Sequence, residues 1–566
     1  MKKASQKAKV KRQKSKVLDF MRSPLSAASL RALKNPRLRS LLELKHFCLL
    51  TFDFCLLTCL SFSLPAQSPP IEELKSEARA LVDQRRTFTQ QMVDEIFSFS
   101  ELGFQEVETS AYITAILEKN GFTVTRGVAG MPTAFVASWG SGKPAIGFMA
   151  DIDGLPETSQ KPGVAYHAPL IEGGPGHSEG HNAGQALNIT AALVLKQIMT
   201  KYKIPGTIRV YPGIAEELLA SRTYMVLAGL FRDLDVMLSS HIGSDFSTTY
   251  GPSGSGLVST EYSFHGESAH AAGSPWKGRS ALDAVELMDS GWNFRREHLR
   301  PEQRSHYVIT HGGDQPNVVP PEASVWYFFR EWDYERIRDL HAIGTKIANA
   351  AAMMTDTTMT ERVLAATWPG YFNKPVAEAL TANIQAVGMP RWSEADVALA
   401  RAAQTELKVN VEGLKTVLTP LKGPEPMYSS AGSDDIAEVS WNLPTVVLRY
   451  PGNIPGMTGH HWSSGIAMAT PIAHQGTTAG AKAHAMTALD LLLKPEILQA
   501  ARAYFAEQTR ETKWKSLVPE GTTAPIHLNR DKMEKFRPQL NKLRYDPAKF
   551  STYLEQLGIK YPTVRP

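Results

Sequence analysis

From Thr123 onward the chain alternates strand-like apolar runs with helical ones, a rhythm that leaves few ways to bury the apolar faces. VTRGV, TAFVASWG and AIGFMADID read as strands, NITAALVLKQIMTKY as a helix, and TIRVYPGIAEE and DVMLSSH as further strands. Such alternation predicts an α/β layer built on a largely parallel sheet covered by helices. IEELKSEARALVDQRRTFTQQMVDEIFSFS and VETSAYITAILEKNGF precede it as helical sequence. From about Gly254 the rhythm changes. Residues 254–367 read strand (GLVSTEYSFHG), helix (RSALDAVELMDSGWNF), two strands (HYVITHGG, ASVWYFFR), helix (YERIRDLHAIGTKIANAAAMM) and strand (TTMTERVLAAT), a β-α-β-β-α-β order. The expected organisation is therefore a leader over 1–66, a main domain in two parts, 67–253 and 368–566, and a smaller domain inserted at 254–367. The second part carries a C-terminal extension from about Lys513, expected to pack on the surface of the main domain.

Charge is unevenly spread along the chain. The whole carries a net +5, but residues 1–66 hold 14 Lys and Arg against 3 Asp and Glu, so the rest is acidic. A nucleic-acid partner is disfavoured on that ground. In the leader a long basic stretch precedes the apolar run FCLLTFDFCLLTCLSFS, and Ala66 offers a cleavage position. An exported protein, periplasmic or secreted, is expected, with no stable membrane span after cleavage; anchoring by an uncleaved leader is the alternative. All three cysteines, Cys48, Cys55 and Cys59, lie in this leader, so the body has no disulfide, thiolate nucleophile or thiolate metal ligand.

Chemistry is concentrated where strands end. Asp151 and Asp153 follow AIGFMA, Glu216 and Glu217 follow TIRVYPG, and His241 follows DVMLSS. In an open α/β sheet ligands bind at the carboxyl ends of the strands, so these groups are expected in one crevice. The loop GPGHSEGHNAG adds His177, Glu179 and His181, and GMTGHHWSSG adds His460 and His461. Carboxylates and imidazoles gathered at one site are the usual ligands of zinc or manganese. Singly each has an ordinary reading: a Glu-Glu pair is usually a solvated turn, and His177, His181 and His241 can be structural. His265 and His270 in FHGESAH fit a loop role as well as a catalytic one. GSGKP at 140–144 lacks the first glycine and the terminal Ser or Thr of a phosphate loop.

With these residues in place, the chain resembles the dinuclear metal amidohydrolases of the aminoacylase and carboxypeptidase-G type, and within them the aminobenzoyl-glutamate-hydrolysing branch. The resemblance rests on MADIDGLP, GHSEGHNAG, PGIAEE, DVMLSSHIG, ESAHAAGSPWKGRSALDAV, NVVPPEASVWYFFR, GSDDIAEVSW and GHHWSS, in order over roughly 72–490. It implies two divalent ions, zinc or manganese, on Glu179, His181, Glu217, His241 and His460, with Glu179 where the family has cysteine. A carboxylate bridges two hard ions as a thiolate does, so a sulfur-free centre is expected; weakened metal binding is the alternative. The resemblance further implies Glu216 as general base and Asp153 as the residue orienting a ligand histidine, with Asp151 less defined. It implies a homodimer through the inserted domain, with His270 stabilising the oxyanion in the neighbouring protomer's site, and Asn317 and Arg330 binding the substrate carboxylate. The expected reaction is amide hydrolysis of N-acyl amino acids, aminobenzoyl-glutamate or a similar aryl or acyl amino acid. Other substrates, as for an aminoacylase or dipeptidase, and a catalytically impaired homologue are the alternatives.

Overall fold

The computed structural model describes residues 69–424 and 432–565; the leader expected at 1–66, with its cysteines and export signal, lies outside them. The main sheet has seven strands, β1 (Thr123–Arg126), β2 (Phe135–Ser141), β3 (Ala145–Asp151), β4 (Gly206–Gly213), β5 (Val236–Gly243), β6 (Ser247–Thr248) and β13 (Thr445–Pro451), in the order β1-β2-β4-β3-β5-β13-β6. Its centre, β4-β3-β5-β13, is parallel, and β3 is buried at every position, as a strand covered on both faces must be.

The parallel centre matches the expected α/β sheet, and the edges add antiparallel strands: β1, β2 and β6 all pair antiparallel. Connection length explains the split. A parallel neighbour needs a crossover, and the helices His181–Tyr202 and Arg222–Leu227 supply it between β3, β4 and β5. Only Gly142–Pro144 separates β2 from β3, and only residues 244–246 separate β5 from β6, so the chain reverses there.

The helix His181–Tyr202 begins seven residues before the run NITAALVLKQIMTKY. Small and hydrogen-bonding residues permit this early start. A Cβ on Gly184 would stand 3.1 Å from the Ala150 Cβ, so the helix lies directly on β3, and the Asn182 amide donates to Val93 O (3.1 Å) and Met468 O (2.8 Å). The helix Pro471–Leu493 lies as close to β13: a Cβ on Gly476 would fall 2.2 Å from Pro451 O.

Two short strands, β7 (Gly251–Ser253) and β12 (Gly370–Phe372), pair where the chain leaves the main body and returns. Between them β8 (Gly256–His265), β9 (Arg304–His311), β10 (Glu322–Glu331) and β11 (Thr358–Thr367) form an antiparallel sheet of order β11-β8-β10-β9. The helices Ala281–Arg296 and Tyr334–Met354 interleave with these strands in the β-α-β-β-α-β order. β10 alternates buried and half-buried residues, because one face packs on the helices through Tyr262, Phe264, Trp292, Tyr327 and Phe329. In the C-terminal extension, the helix Arg530–Leu543 buries Met533, Phe536 and Leu540 against Leu102 and Ile171 of the main body. Among the described residues no helix is long and apolar enough to cross a membrane.

Candidate metal centre

Three parallel strands end at one place and bring the acidic and imidazole groups with them. Asp151 closes β3, Glu216 and Glu217 form a tight turn just after β4, His241 lies near the end of β5, and His181 opens the helix that follows the loop carrying Glu179. His460 arrives from the loop after β13. The turn and the late loop hold unusual backbone: Ala215, Leu219 and His460 have φ of 46°, 53° and 52°, conformations that side-chain-bearing residues adopt only when their surroundings impose them. Glu106 is one such constraint, since its buried carboxylate accepts Ala215 N at 2.7 Å and Thr133 Oγ1 at 2.8 Å.

The hydrogen-bond partners fix the tautomers. His181 Nδ1 faces only acceptors, Asp153 O at 3.0 Å and Asp153 Oδ1 at 3.3 Å, so it carries the proton and leaves Nε2 bare. His241 Nδ1 donates to Ile242 O at 2.9 Å with the same result. The second Asp153 oxygen accepts Glu217 N at 3.1 Å, tying the imidazole and the carboxylate to one residue.

The bare nitrogens and carboxylates then face one another. His181 Nε2 lies 3.8 Å from Glu216 Oε2 and 3.9 Å from Asp151 Oδ2. Glu179 spans two imidazoles, with Oε2 4.0 Å from His241 Nε2 and Oε1 3.8 Å from His460 Nε2; His460 Nε2 is 3.5 Å from Glu217 Oε2. These separations are too long for hydrogen bonds and suit donors around a shared cation. His181 Nε2 and Glu217 Oε1 are buried without a hydrogen-bond partner among the described residues, a costly state unless a ligand meets them.

The electrostatics point the same way. Burial opposes a charge on His181, but Asp153, Asp151 and Glu217 outweigh it and hold its pKa up at about 10, so without a cation beside it Nε2 takes up a second proton that a metal ion would displace. Burial and then the neighbouring carboxylates push Glu216 well above the ordinary carboxylate range; burial does the same to Glu217, with His181 opposing. Burial, followed by the nearby Arg449 and His181, pulls His241 well down. The cluster lacks positive charge that divalent ions would provide. The residues thus fit the metal centre that the resemblance implies, and Glu179 stands among the donors as the family's cysteine would.

The cluster lines a cavity of about 370 Å³ with Glu179, Glu216, Glu217, His241 and His460 in its wall. Arg330, at the end of β10, reaches its rim by donating to the Ser433 hydroxyl at 2.8 Å, while its buried Nε has no hydrogen-bond partner among the described residues. Asn317 and His270 lie elsewhere, exposed on two adjoining loops of the inserted domain joined by Ala271 N donating to Asn317 O at 3.0 Å. His270 Nδ1 accepts Ala272 N and Gly273 N at 3.2 and 3.1 Å, so its Nε2 carries the proton and faces outward as a donor. His265 instead pairs with Glu322 at 2.6 Å, and buried His177 bonds Ile96 O at 3.1 Å, both local structural contacts.

Sequence reasoning missed a buried ion network behind the centre. Arg222 is fully buried and donates to Asp151 and Asp435, with Asp434 at 3.5 Å, and Asp435 also accepts Arg222 N at 2.9 Å. Glu216, Asp434 and Asp435 also lie within ligand distance of one another, with Arg222 already paired to Asp434 and Asp435. GSDDIAEVSW marks the place, yet nothing in its spacing names Arg222 as partner.

An arrangement of this kind is that of a metal-dependent amide hydrolase. A peptidase dimerisation domain of the M20 type matches residues 253–353. Over 468 residues the chain is 32% identical to one of the subunits of the p-aminobenzoyl-glutamate hydrolase of Escherichia coli (strain K12), covering 78% of this chain and 97% of that protein. Over 454 residues it is 26% identical to the Xaa-Arg dipeptidase of Mus musculus, covering 78% and 94%. A solved structure assigned as an aminohydrolase, from methicillin resistant Staphylococcus aureus, shares the fold with a TM-score of 0.52 at 18% identity, over 74% of this chain and 100% of that one. The chain belongs to the M20 family of metal-binding peptidases and amidohydrolases, and it is a hydrolase.

Proposed function

We propose that the protein hydrolyses aminobenzoyl-glutamate or a similar aryl or acyl amino acid, using two divalent ions, zinc or manganese. The reaction is cleavage of the amide bond of an acyl amino acid. The observation that carries the reading is the convergence of His241 Nε2 with Glu179 and Glu217 oxygens at one cavity wall, with His181 Nε2 facing Glu216 of the same wall. Glu179, His181, Glu217, His241 and His460 would hold the ions, whose chemistry when bound is to polarise an amide carbonyl and acidify a water.

The chain's own groups do the rest. Glu216, buried in the cavity wall, takes the proton of the attacking water and passes it to the leaving amine. Asp153 holds His181 and the Glu217 backbone in place. Arg330, at the cavity rim beside Ser433, meets the substrate carboxylate with its forked guanidinium. His270 and Asn317 act in the neighbouring protomer of a homodimer, where the outward His270 Nε2–H donates to the oxyanion. Apolar exposure in the inserted domain supports that assembly: Val308 (58%) and Ile309 (49%) stand on edge strand β9, and Phe294 (78%) on a helix of the same domain. The basic and apolar leader supports export, which N-terminal sequencing of the mature protein checks.

The test is amide hydrolysis of a panel of N-acyl amino acids by metal-reconstituted protein. Release of amino acid that a chelator abolishes supports the reading; no release from any member with metal bound overturns it.

A further inference from the structure

The cavity contains a cation that the mechanism above does not use. Arg449 lies on β13, directly opposite His241 of β5 in parallel register, so both side chains stand on the same face of the sheet and both line the cavity. The other charged groups near it are spoken for. Arg222 pairs with Asp151, Asp434 and Asp435; Glu179 and Glu217 face the imidazoles; Asp245 accepts the Ser247 hydroxyl at 3.0 Å. No described residue forms a side-chain hydrogen bond or ion pair with the Arg449 guanidinium, although it is partly buried in a wall that contains four carboxylates. An arginine held in this way, lining a cavity with no protein anion on its fork, is placed to meet an anion there.

We propose that Arg449 is a specificity residue that binds a second carboxylate of the substrate, making N-acyl amino acids with two anionic groups the preferred class. This rests on the reading of the protein as an acyl amino acid hydrolase. The α-carboxylate falls to Arg330, which reaches the rim from the inserted domain through Ser433, and the second carboxylate falls to Arg449 on the main sheet. Two cations, one from each sheet, thus hold two anions across the metal donors. A substrate with a cationic amino-acid side chain meets Arg449 as a like charge and is rejected. The second carboxylate sits on the amino-acid side chain or on the acyl group, and the two sources separate experimentally.

The test is calorimetric binding to metal-loaded Glu216→Gln protein, which retains ligand without turning it over. The probes are N-benzoyl-glutamate, its neutral isostere N-benzoyl-glutamine, N-benzoyl-arginine, and N-succinyl-norvaline, whose second carboxylate is on the acyl side. A charge-assisted hydrogen bond to a partly buried cation predicts about 10- to 100-fold tighter binding of a dianion than of N-benzoyl-glutamine. Adding Arg449→Met should bring the dianion and the isostere to within about threefold, and Arg449→Lys should keep part of the preference. A preference for N-benzoyl-glutamate places the second anion on the side chain; one for N-succinyl-norvaline places it on the acyl group. Equal weakening of dianion and isostere by Arg449→Met overturns the assignment, as does the absence of any preference with Arg449 intact. Arg449→Lys decides the case if the methionine variant does not fold. Failure of Glu216-intact protein to cleave any N-acyl amino acid would count against the hydrolase reading, and leaves this binding result to be judged by itself.

Discussion

The strand ends of the main sheet and the loops of the inserted domain both carry site residues, and they hold them in opposite ways. Asp153, His181, Glu216 and Glu217 are locked behind β3 and β4 by burial and short backbone hydrogen bonds, so their geometry is complete within one chain. His270 and Asn317 are exposed, fixed only by their own loops, and outside the cavity of the chain that bears them. A buried site tolerates no missing partner; an exposed one is open to completion by a second molecule, as proposed above. The difference fits the proposal that proton transfer and metal donors belong to one protomer and the oxyanion contact to its neighbour.

Changes that break this comparison are expected to rank by burial. Glu216→Gln should lower kcat by about 10²–10⁴-fold while metal content stays unchanged, since it removes the proton carrier and spares the donors; steady-state rates beside elemental analysis check it. Arg222→Met should cost about 3–5 kcal/mol, because Asp151 and Asp435 are left buried without a counter-charge, and is read by denaturant unfolding. His270→Ala should lower kcat by about 10²–10³-fold without changing metal content or melting temperature. Mixing His270→Ala with Glu216→Gln should restore about a quarter of wild-type activity, because half the random dimers are mixed and each holds one intact site; no recovery after protomer exchange would place His270 outside the neighbour's site.

A smaller effect is expected where the two regions join. Buried Glu438 accepts Trp368 N, just past the end of β11, and Trp514 Nε1 from the C-terminal extension, both at 2.7 Å, and burial raises its pKa to about 8. Its folded pKa lies above its unfolded value, so its contribution to stability is whole below about pH 4.5 and is lost as pH rises toward 8. The melting temperature should therefore fall between about pH 5 and 9 in the wild type, and fall less in Glu438→Gln.

Much of this was legible in residue order. Strand ends converge in any open α/β sheet, so Asp151, Glu216, Glu217 and His241 could be placed together from the sequence alone. His460 needed the resemblance, since a histidine in a loop after β13 has no positional signal. Connections of three residues reverse a chain, and the links at 142–144 and 244–246 carried the antiparallel edges in plain view. The start of the helix at His181 was hidden because Asn182, Ala183 and Gly184 together give a poor helix signal, made favourable by tertiary packing. Arg222 and Arg449 were out of reach for a common reason: the role of a charged residue in an apolar run depends on partners hundreds of residues away, or on having none.

The sulfur-free centre, in which Glu179 faces both His241 and His460, is the central claim about this molecule. Elemental analysis of wild-type and Glu179→Ala protein, loaded and desalted side by side, tests it directly. The wild type should retain divalent metal and the variant should lose most of it; equal metal content in the two proteins would contradict the claim.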